Sequence, residues 1–274
     1  MKKIYLLIVV LGFAIGCTET KDQQQATTDQ EPTVSNNQAK LNLDQYPNIT
    51  ISNDQVKMKL YLPDPENGLY RGTRFDWSGV IASVVYEGHE YFGYWKDTHD
   101  PYVHEDLTGP VEGFIKPGLG FEEADSGESF IRVGVGVLEK EGDEYEWTKT
   151  FKVLDHGKWT VDHGEDWISF THELNSDFGY GYEYRKIIQL RGDGFSIGHQ
   201  LVNKGDRLIE TDQFNHNFFM IDGETSGPAF TVSFPYDIAT EDDLKGLMEI
   251  KANELHFKQE FRDTNLFMTL TGYT

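Results

Sequence analysis

Cysteine is almost absent from this chain: Cys17 is the only one in 274 residues, so no disulfide bond can form within it. Basic residues are also few, with 24 Lys and Arg against 46 Asp and Glu, which gives a formal net charge of −22. Such a charge predicts no nucleic-acid partner, and it disfavours anionic lipid and polyanionic glycans unless a local basic pocket exists. Neutral ligands are favoured, although solubility alone accounts for most of such a charge.

The apolar run near the N terminus, Ile4–Ile15, is too short to span a membrane. Because two lysines precede it, residues 1–16 are predicted to be a secretory signal peptide. The segment Ala14–Cys17 resembles the lipobox of bacterial lipoproteins, so we expect Cys17 to be lipidated, with ordinary secretion as the alternative. The predicted location is the bacterial cell envelope, on its periplasmic or outer-membrane face, with the lipid anchor as the only membrane contact.

Two boundaries follow from composition. Residues 17–40 are rich in Gln, Thr, Asp, Asn and Glu, a composition that predicts a disordered tether. Residues 41–274 then form one predicted domain. Its last segment, Leu266–Thr274, is an apolar strand pattern that stops without a turn or a polar tail, which indicates a chain that is incomplete at its C terminus.

The domain is predicted to be all-β, because short runs rich in aromatic and β-branched residues recur about every ten residues. Only Thr240–Leu247 has a helical pattern. Turn-forming groups separate the clearest strands and indicate antiparallel hairpins in two packed sheets. Those strands are Thr148–Leu154, Lys158–Val161, Trp167–His172, Tyr182–Leu190 and Phe195–Val202.

The strongest candidate for chemistry is His216, which lies between Asn215 and Asn217 and beside Phe218 and Phe219. Aromatic faces can stack on a sugar ring, carboxamides can bind hydroxyls, and an imidazole can exchange a proton near neutral pH. The alternative is a half-buried structural histidine on a strand, which is common outside active sites.

Five segments together resemble the middle of an aldose 1-epimerase, a member of the galactose mutarotase-like superfamily, over roughly residues 150–223. They are Trp159–Val161, Trp167–Phe170, Gly179–Arg185, Asn203–Asp206 and Asn215–Phe219. The resemblance implies a β-supersandwich of antiparallel sheets with a sugar in an open cleft on the sheet surface. It implies no cofactor, and we expect a monomer.

The resemblance also implies a mechanism in which His216 is the catalytic acid that protonates the ring oxygen, since an imidazole has a pKa of ~6.5. In that family the base is a glutamate on a late strand, which would lie beyond Leu266–Thr274. Glu254 and Glu260 do not match its context.

Further residues are predicted to bind substrate. Arg71, Arg74, Asp76 and Trp77 form a segment suited to ring stacking and to bidentate contact with hydroxyls or a carboxylate. The alternative is a strand edge with surface arginines stacked on aromatic rings, in which Asp76 pairs with an arginine.

The rest of the predicted site follows the resemblance. Glu112 corresponds to a loop of that family, and His104 stands a few residues upstream of where the loop has its early histidine. The other predicted substrate-binding residues are Asn215, Asn217 and Asp222. No metal site is predicted, because His99 and His104 have no third ligand at a zinc-like spacing.

The sequence thus predicts a lipid-anchored, sugar-binding isomerase that interconverts anomers. One rival is a glycan-binding lipoprotein that lacks the chemistry, since a fold does not fix an activity. A second rival is a polysaccharide lyase or glycoside-modifying enzyme on the same fold.

Overall fold

The computed structural model describes residues 41–114, 117–261 and 265–273. The predicted signal peptide, Cys17 and the tether lie outside the described residues. The chain divides into two compact units, with a boundary between Glu224 and Thr225. The first unit is Asn42–Glu224, and the second includes Thr225–Thr274. The single domain over residues 41–274 remains a prediction.

The described residues are all-β, with 42% of them in strands and none in a helix, which confirms the predicted class. None of them forms a helix with the length and apolar character that a membrane span needs. The first unit contains β1 (Asn48–Ser52), β2 (Val56–Tyr61), β3 (Val80–Tyr86), β4 (His89–Tyr91), β5 (Gly109–Phe114), β6 (Ser129–Arg132), β7 (Gly136–Glu139), β8 (Val153–Asp155), β9 (Lys158–His163), β10 (Trp167–Asn175), β11 (Gly181–Arg191), β12 (Gly194–Asn203) and β13 (Gln213–Phe218).

Two four-stranded antiparallel sheets dominate the first unit, one in the order β1-β2-β3-β4 and the other in the order β12-β11-β10-β9. Their inner faces pack together, because one apolar cluster joins residues of both sheets. The cluster includes Met58, Leu60, Ile81, Ile168, Phe170 and Ile188. This arrangement is consistent with the predicted β-sandwich.

Strand β11 shows why the sequence forms this sheet. Its side chains alternate between buried and more exposed positions from Tyr182 to Leu190, as expected for a strand with one face on the core. It pairs with β10 from Trp167 to Asn175 and with β12 from Gly194 to Asn203. The three predicted strands in this region are therefore confirmed, and each is a few residues longer than predicted.

Two smaller groups of strands complete the first unit. Strand β13 pairs with β5 in an antiparallel ribbon, with Asn215 opposite Glu112 and His216 opposite Val111. Strands β6, β7 and β8 form a separate sheet. The predicted strand Thr148–Leu154 is wrong for most of its length, because only Val153–Asp155 pairs, and residues 147–149 form a turn closed by a bond from Lys149 N to Glu146 O.

The second unit holds a three-stranded sheet in the order β14-β16-β15. Its strands are β14 (Thr231–Ser233), β15 (Met248–Lys251) and β16 (Glu254–Phe257). The helix predicted at Thr240–Leu247 is wrong, because Lys245 and Gly246 have positive φ and the Asp243 side chain accepts a bond from the Lys245 backbone. Near the C terminus, the described part of the predicted strand, residues 266–273, reduces to one bridge, Thr271 to Ala239.

Gly79 offers a test of the packing between the two main sheets. It precedes β3 with φ +61°, and a Cβ there would collide with the ring of Phe170 in the core. Gly79→Ala should therefore lower the free energy of unfolding by roughly 2–5 kcal/mol, combining backbone strain and overpacking. Urea denaturation of the full chain measures it.

Gly88→Ala is the matched control. Gly88 also has a positive φ, +85°, but a Cβ there would have no atom within 4 Å. Its cost should be limited to about 1–2 kcal/mol of backbone strain. Equal losses in the two variants would contradict the proposed contact between Gly79 and Phe170.

Candidate functional site

Arg74 is a buried cation beside an exposed aromatic ring. Its guanidinium carbon lies 4.2 Å from the ring centre of Trp147 and 4.7 Å from that of Phe75. Arg74 is 6% exposed, whereas Trp147 is 43% exposed. Burial lowers the pKa of Arg74, but an arginine remains charged at neutral pH. Its Nε is buried and has no hydrogen-bond partner among the described residues.

His104 also contacts Trp147, and Glu105 in turn contacts His104. The His104 ring meets Trp147 edge-on with centres 5.2 Å apart, and its Nε2 is 3.4 Å from a Glu105 carboxylate oxygen. Lys96 Nζ is 3.5 Å from the same carboxylate. Burial alone would raise the pKa of Glu105, but His104 and Lys96 outweigh it and lower the pKa. Glu105 is therefore ionised at neutral pH.

His216 reaches this group of residues through Phe75. Its ring stands edge-on to Phe75 at 5.6 Å and stacks on Phe218 at 4.2 Å. Only 4% of His216 is exposed. Three predicted site residues, Arg74, His104 and His216, are thus joined through two aromatic rings. We call Arg74, Phe75, His104, Glu105, Trp147 and His216 the Arg74 cluster.

The neighbours of His216 behave differently. Asn215 and Asn217 are exposed, while His216 between them is buried. Because side chains alternate along a strand, the two carboxamides lie on the opposite face of β13 from the imidazole. The structure therefore does not bring Asn215 and Asn217 together with the His216 ring.

Arg71 and Trp77 line a separate cleft with a volume of about 500 Å³. Arg71 lies 4.6 Å from the ring centre of Tyr102, and Trp77 packs against His156 with ring centres 5.4 Å apart. Trp77 Nε1 donates to Gly72 O at 2.8 Å, which fixes the indole. We call this site the Arg71 cleft; its walls are Pro65, Arg71, Trp77, Tyr102, Glu141, Thr150, Phe151, Lys152, Val153 and His156.

Asp76 and Glu112 belong to a buried polar network. Lys186 Nζ lies 2.5 Å from Glu112, and it also donates to Ser78 O at 2.9 Å. Asp76 accepts from the Ser78 hydroxyl and from Tyr184 Oη, the latter at 2.9 Å. His199 completes the network: its Nδ1 is 2.9 Å from Tyr184 Oη and its Nε2 is 3.6 Å from Glu112. We call these six residues the Glu112 network.

The two carboxylates of this network have opposite pKa shifts. Burial raises the pKa of Asp76, and the nearby charge of Glu112 adds to the effect. Burial would also raise the pKa of Glu112, but Lys186 and His199 outweigh it and lower the pKa. Both carboxylates are at most 3% exposed. The network can therefore hold one carboxylate firmly ionised beside another that accepts a proton more readily.

Sequence reasoning missed Lys186 and His199. Lys186 is 1% exposed and lies on the core face of β11, in line with Tyr182, Tyr184 and Ile188. A lysine at one of the apolar positions of an alternating strand predicts a buried charge. Such a charge needs a partner, so this pattern could have pointed to the network. His199 stands directly opposite Lys186 on β12.

Asp222 lies apart from these sites. Its carboxylate contacts His89 Nδ1 at 2.7 Å and accepts from the Glu90 backbone at 2.8 Å. The hydrogen bond from His89 lowers the pKa of Asp222. Its φ of 53° and its bond from Asp222 N to Glu90 O place it in a turn beside β4. In this structure its contacts hold the chain after β13 against β4.

Comparison with protein-family models, with curated proteins and with solved structures gave no match. The structure itself defines the class, an all-β protein with several antiparallel sheets. Among the described residues no group of three or more His, Cys, Asp or Glu side chains is placed to hold a metal ion.

Removing Lys186 tests the Glu112 network. Lys186→Met would leave the Glu112 carboxylate buried without its closest cation, so we expect a loss of about 3–5 kcal/mol in the free energy of unfolding. The double variant Lys186→Met/Glu112→Leu should be less destabilised, because no charge is then left unpaired. Chemical denaturation of the full chain measures both, with Lys158→Met at an exposed ion pair as the control.

Acid titration gives an independent check of the same pair. Because the native pKa of Glu112 is lowered from its ordinary 4.5, its charge stabilises the fold above pH 4.5. That contribution declines as the pH falls through the lowered native value. The stability difference between the wild type and Glu112→Gln should shrink over that range, and a difference independent of pH would contradict the ion pair.

Proposed function

We propose that the protein binds a carbohydrate at the Arg74 cluster and interconverts the anomers of an aldose, as an aldose 1-epimerase does. The observation that carries the proposal is the stack of buried Arg74 beneath half-exposed Trp147. An exposed indole offers a face for a sugar ring, and a guanidinium offers several donors for its hydroxyls. His216 contacts Phe75, His104 contacts Trp147, and Glu105 contacts His104, so groups able to move protons lie beside the proposed binding surface.

The chemistry needs two groups with opposite roles. A base removes the proton of the anomeric hydroxyl while an acid protonates the ring oxygen, and the bond between the anomeric carbon and the ring oxygen breaks. Rotation about the neighbouring carbon–carbon bond and reclosure then give the other anomer. We assign His216 as the acid that protonates the ring oxygen. We assign His104, which the Glu105 carboxylate orients, as the base that removes the proton of the anomeric hydroxyl.

A non-catalytic glycan-binding protein is the second candidate, and a specific observation favours it. His216 is 96% covered, with its ring packed against Phe75 and Phe218. A ring so enclosed can serve as part of an aromatic wall without exchanging protons with a ligand. Under this reading Arg74 and Trp147 bind the sugar and no anomer is converted.

We propose a galactose mutarotase-like supersandwich, which the antiparallel sheets of the first unit support. The basic, apolar N-terminal segment and Cys17 support attachment to the cell envelope by a lipid anchor. A sugar-binding protein in that compartment would meet glycans before they enter the cell.

Proton NMR of freshly dissolved α-glucose and α-galactose tests the isomerase. At acidic to neutral pH spontaneous mutarotation is slow, so the full chain should visibly speed the approach to the anomeric equilibrium. His216→Ala should lower the rate by about 10²- to 10⁴-fold, the usual cost of losing a general acid. His163→Ala, at an exposed histidine of β9, is the matched control and should keep the wild-type rate.

Each outcome of this experiment separates the two candidates. A folded wild-type chain that binds sugar without accelerating mutarotation would favour the glycan-binding protein. Acceleration that survives His216→Ala would remove His216 from the mechanism. Near-ultraviolet circular dichroism of each variant establishes that the aromatic packing around Phe75 is retained.

Arg74→Ala tests the binding surface. We expect sugar affinity to fall by about 10-fold or more, because hydrogen bonds from a charged donor are lost. Turnover of bound sugar should change less, since Arg74 has no proton to exchange at neutral pH. Titration calorimetry and saturation kinetics separate these effects, and a variant with intact affinity but poor turnover would contradict the assignment.

A further inference from the structure

Arg71 is an arginine without a carboxylate partner in a strongly acidic chain. The chain has 46 acidic residues and 24 Lys and Arg, so carboxylates are abundant. Nearby Lys149 and Lys152 pair with Glu141 and Glu139 at 2.6 and 2.7 Å. Arg71 forms no such ion pair within the described ranges. Its one guanidinium hydrogen bond there is from Nη1 to the backbone oxygen of Glu66, at 2.5 Å.

The guanidinium of Arg71 is held in a defined orientation. It lies over the Tyr102 ring at 4.6 Å, and the Arg71 backbone N–H donates to Pro101 O at 2.7 Å. Its Nε is buried and has no hydrogen-bond partner among the described residues. An oriented guanidinium with spare donors is the group best suited to bidentate contact with a carboxylate.

Uncharged aromatic side chains form a second part of the Arg71 cleft, whose lining also includes the charged residues Glu141 and Lys152. His156 packs on Trp77, and its Nδ1 is buried without a hydrogen-bond partner among the described residues. Burial lowers the pKa of His156, so the imidazole is uncharged at neutral pH. Tyr102 is 51% exposed and offers a ring face at the rim. These groups suit the hydroxyls and apolar face of a sugar ring.

We infer that the Arg71 cleft binds an acidic sugar, with Arg71 on the carboxylate and Trp77, Tyr102 and His156 around the ring. The inference rests on the proposed carbohydrate function and adds a second site, separate from the Arg74 cluster, whose ligand class is uronates. A net charge of −22 repels anions in general, so a uronate would be held by this local cation and not by the surface as a whole.

The size of the cleft agrees with one sugar unit and leaves room for a chain. Its volume of about 500 Å³ falls within the ~300–1,000 Å³ typical of small-molecule sites. A second depression of about 470 Å³ shares Pro65 and His156 with it. The ligand can thus be a free uronate or the end of a polyuronide.

Titration calorimetry at neutral pH in a carboxylate-free buffer tests the inference. Glucuronate, its methyl ester and glucose are titrated into the full chain, because the ester keeps the ring and removes the charge. We expect glucuronate to bind about 10- to 100-fold more tightly than the ester, as loss of hydrogen bonds to a charged group predicts. Oligogalacturonate that binds more tightly than galacturonate would identify a chain end, and equal affinities a free sugar.

Three variants assign the preference to Arg71. Arg71→Gln should abolish the discrimination between glucuronate and its ester. Arg71→Lys should retain part of it, because lysine keeps the positive charge but cannot make the bidentate contact of a guanidinium. Arg191→Gln removes the same charge in the β11–β12 hairpin, outside the cleft, and should change nothing. Thermal unfolding of each variant establishes that it is folded.

The contrary outcomes are distinct. Equal binding of glucuronate and its ester by the wild type would overturn the inference and leave carbohydrate binding in place. A preference that survives Arg71→Gln would overturn the role of Arg71. Absence of binding by any of the sugars would overturn the inference and the proposed function together.

Discussion

The buried ion pair between Lys186 and Glu112 is the interaction on which the arrangement of the sites depends. It joins the core face of β11 to β5, and a bond from the Asp76 backbone to Glu112 O ties in the segment before β3. Two buried charges are tolerated only when their remaining hydrogen-bonding groups are satisfied. Ser78 O accepts from Lys186, and His199 Nε2 lies 3.6 Å from Glu112. The pair therefore fixes which face of β5 packs toward the β12-β11-β10-β9 sheet.

That orientation determines the environment of His216. Glu112 faces the Glu112 network, so the side chain of its neighbour Val111 points to the other face of β5, toward the Arg74 cluster. His216 is the cross-strand partner of Val111 and therefore lies on that same face. The His216 imidazole therefore packs on Phe75 and points away from Glu112, although His216 and Glu112 are only one position apart in the strand register. The same ribbon leaves Asn215 and Asn217 on the other face, so the three residues of one sequence motif are divided between two environments.

The segment from Arg71 to Trp77 supplies three sites at once. Arg71 and Trp77 line the cleft, Arg74 and Phe75 form the aromatic stack, and Asp76 joins the buried network. Every position in this segment from Gly72 onward is buried, so the charges of Arg74 and Asp76 are taken out of water. Arg74 and Asp76 face different surroundings, and neither neutralises the other, contrary to the simple alternative of an Asp–Arg pair. This separation leaves cationic side chains available in a molecule whose overall charge is strongly negative.

The sequence by itself determined the class of fold and most of the central strands, because alternation of apolar side chains along β9 to β12 is a local property that a sheet with one buried face imposes. It also identified Arg71, Arg74 and His216 as candidates, since their chemistry is visible in the residue types, whereas His104 followed only from the family resemblance. At Thr148–Leu154 and Thr240–Leu247, local turn bonds prevailed over the predicted elements. Only the tertiary structure decided which candidates meet, and it added Lys186 and His199. Those contacts join residues far apart in the chain, and cross-sheet packing and strand register, which set them, are not encoded by any local pattern.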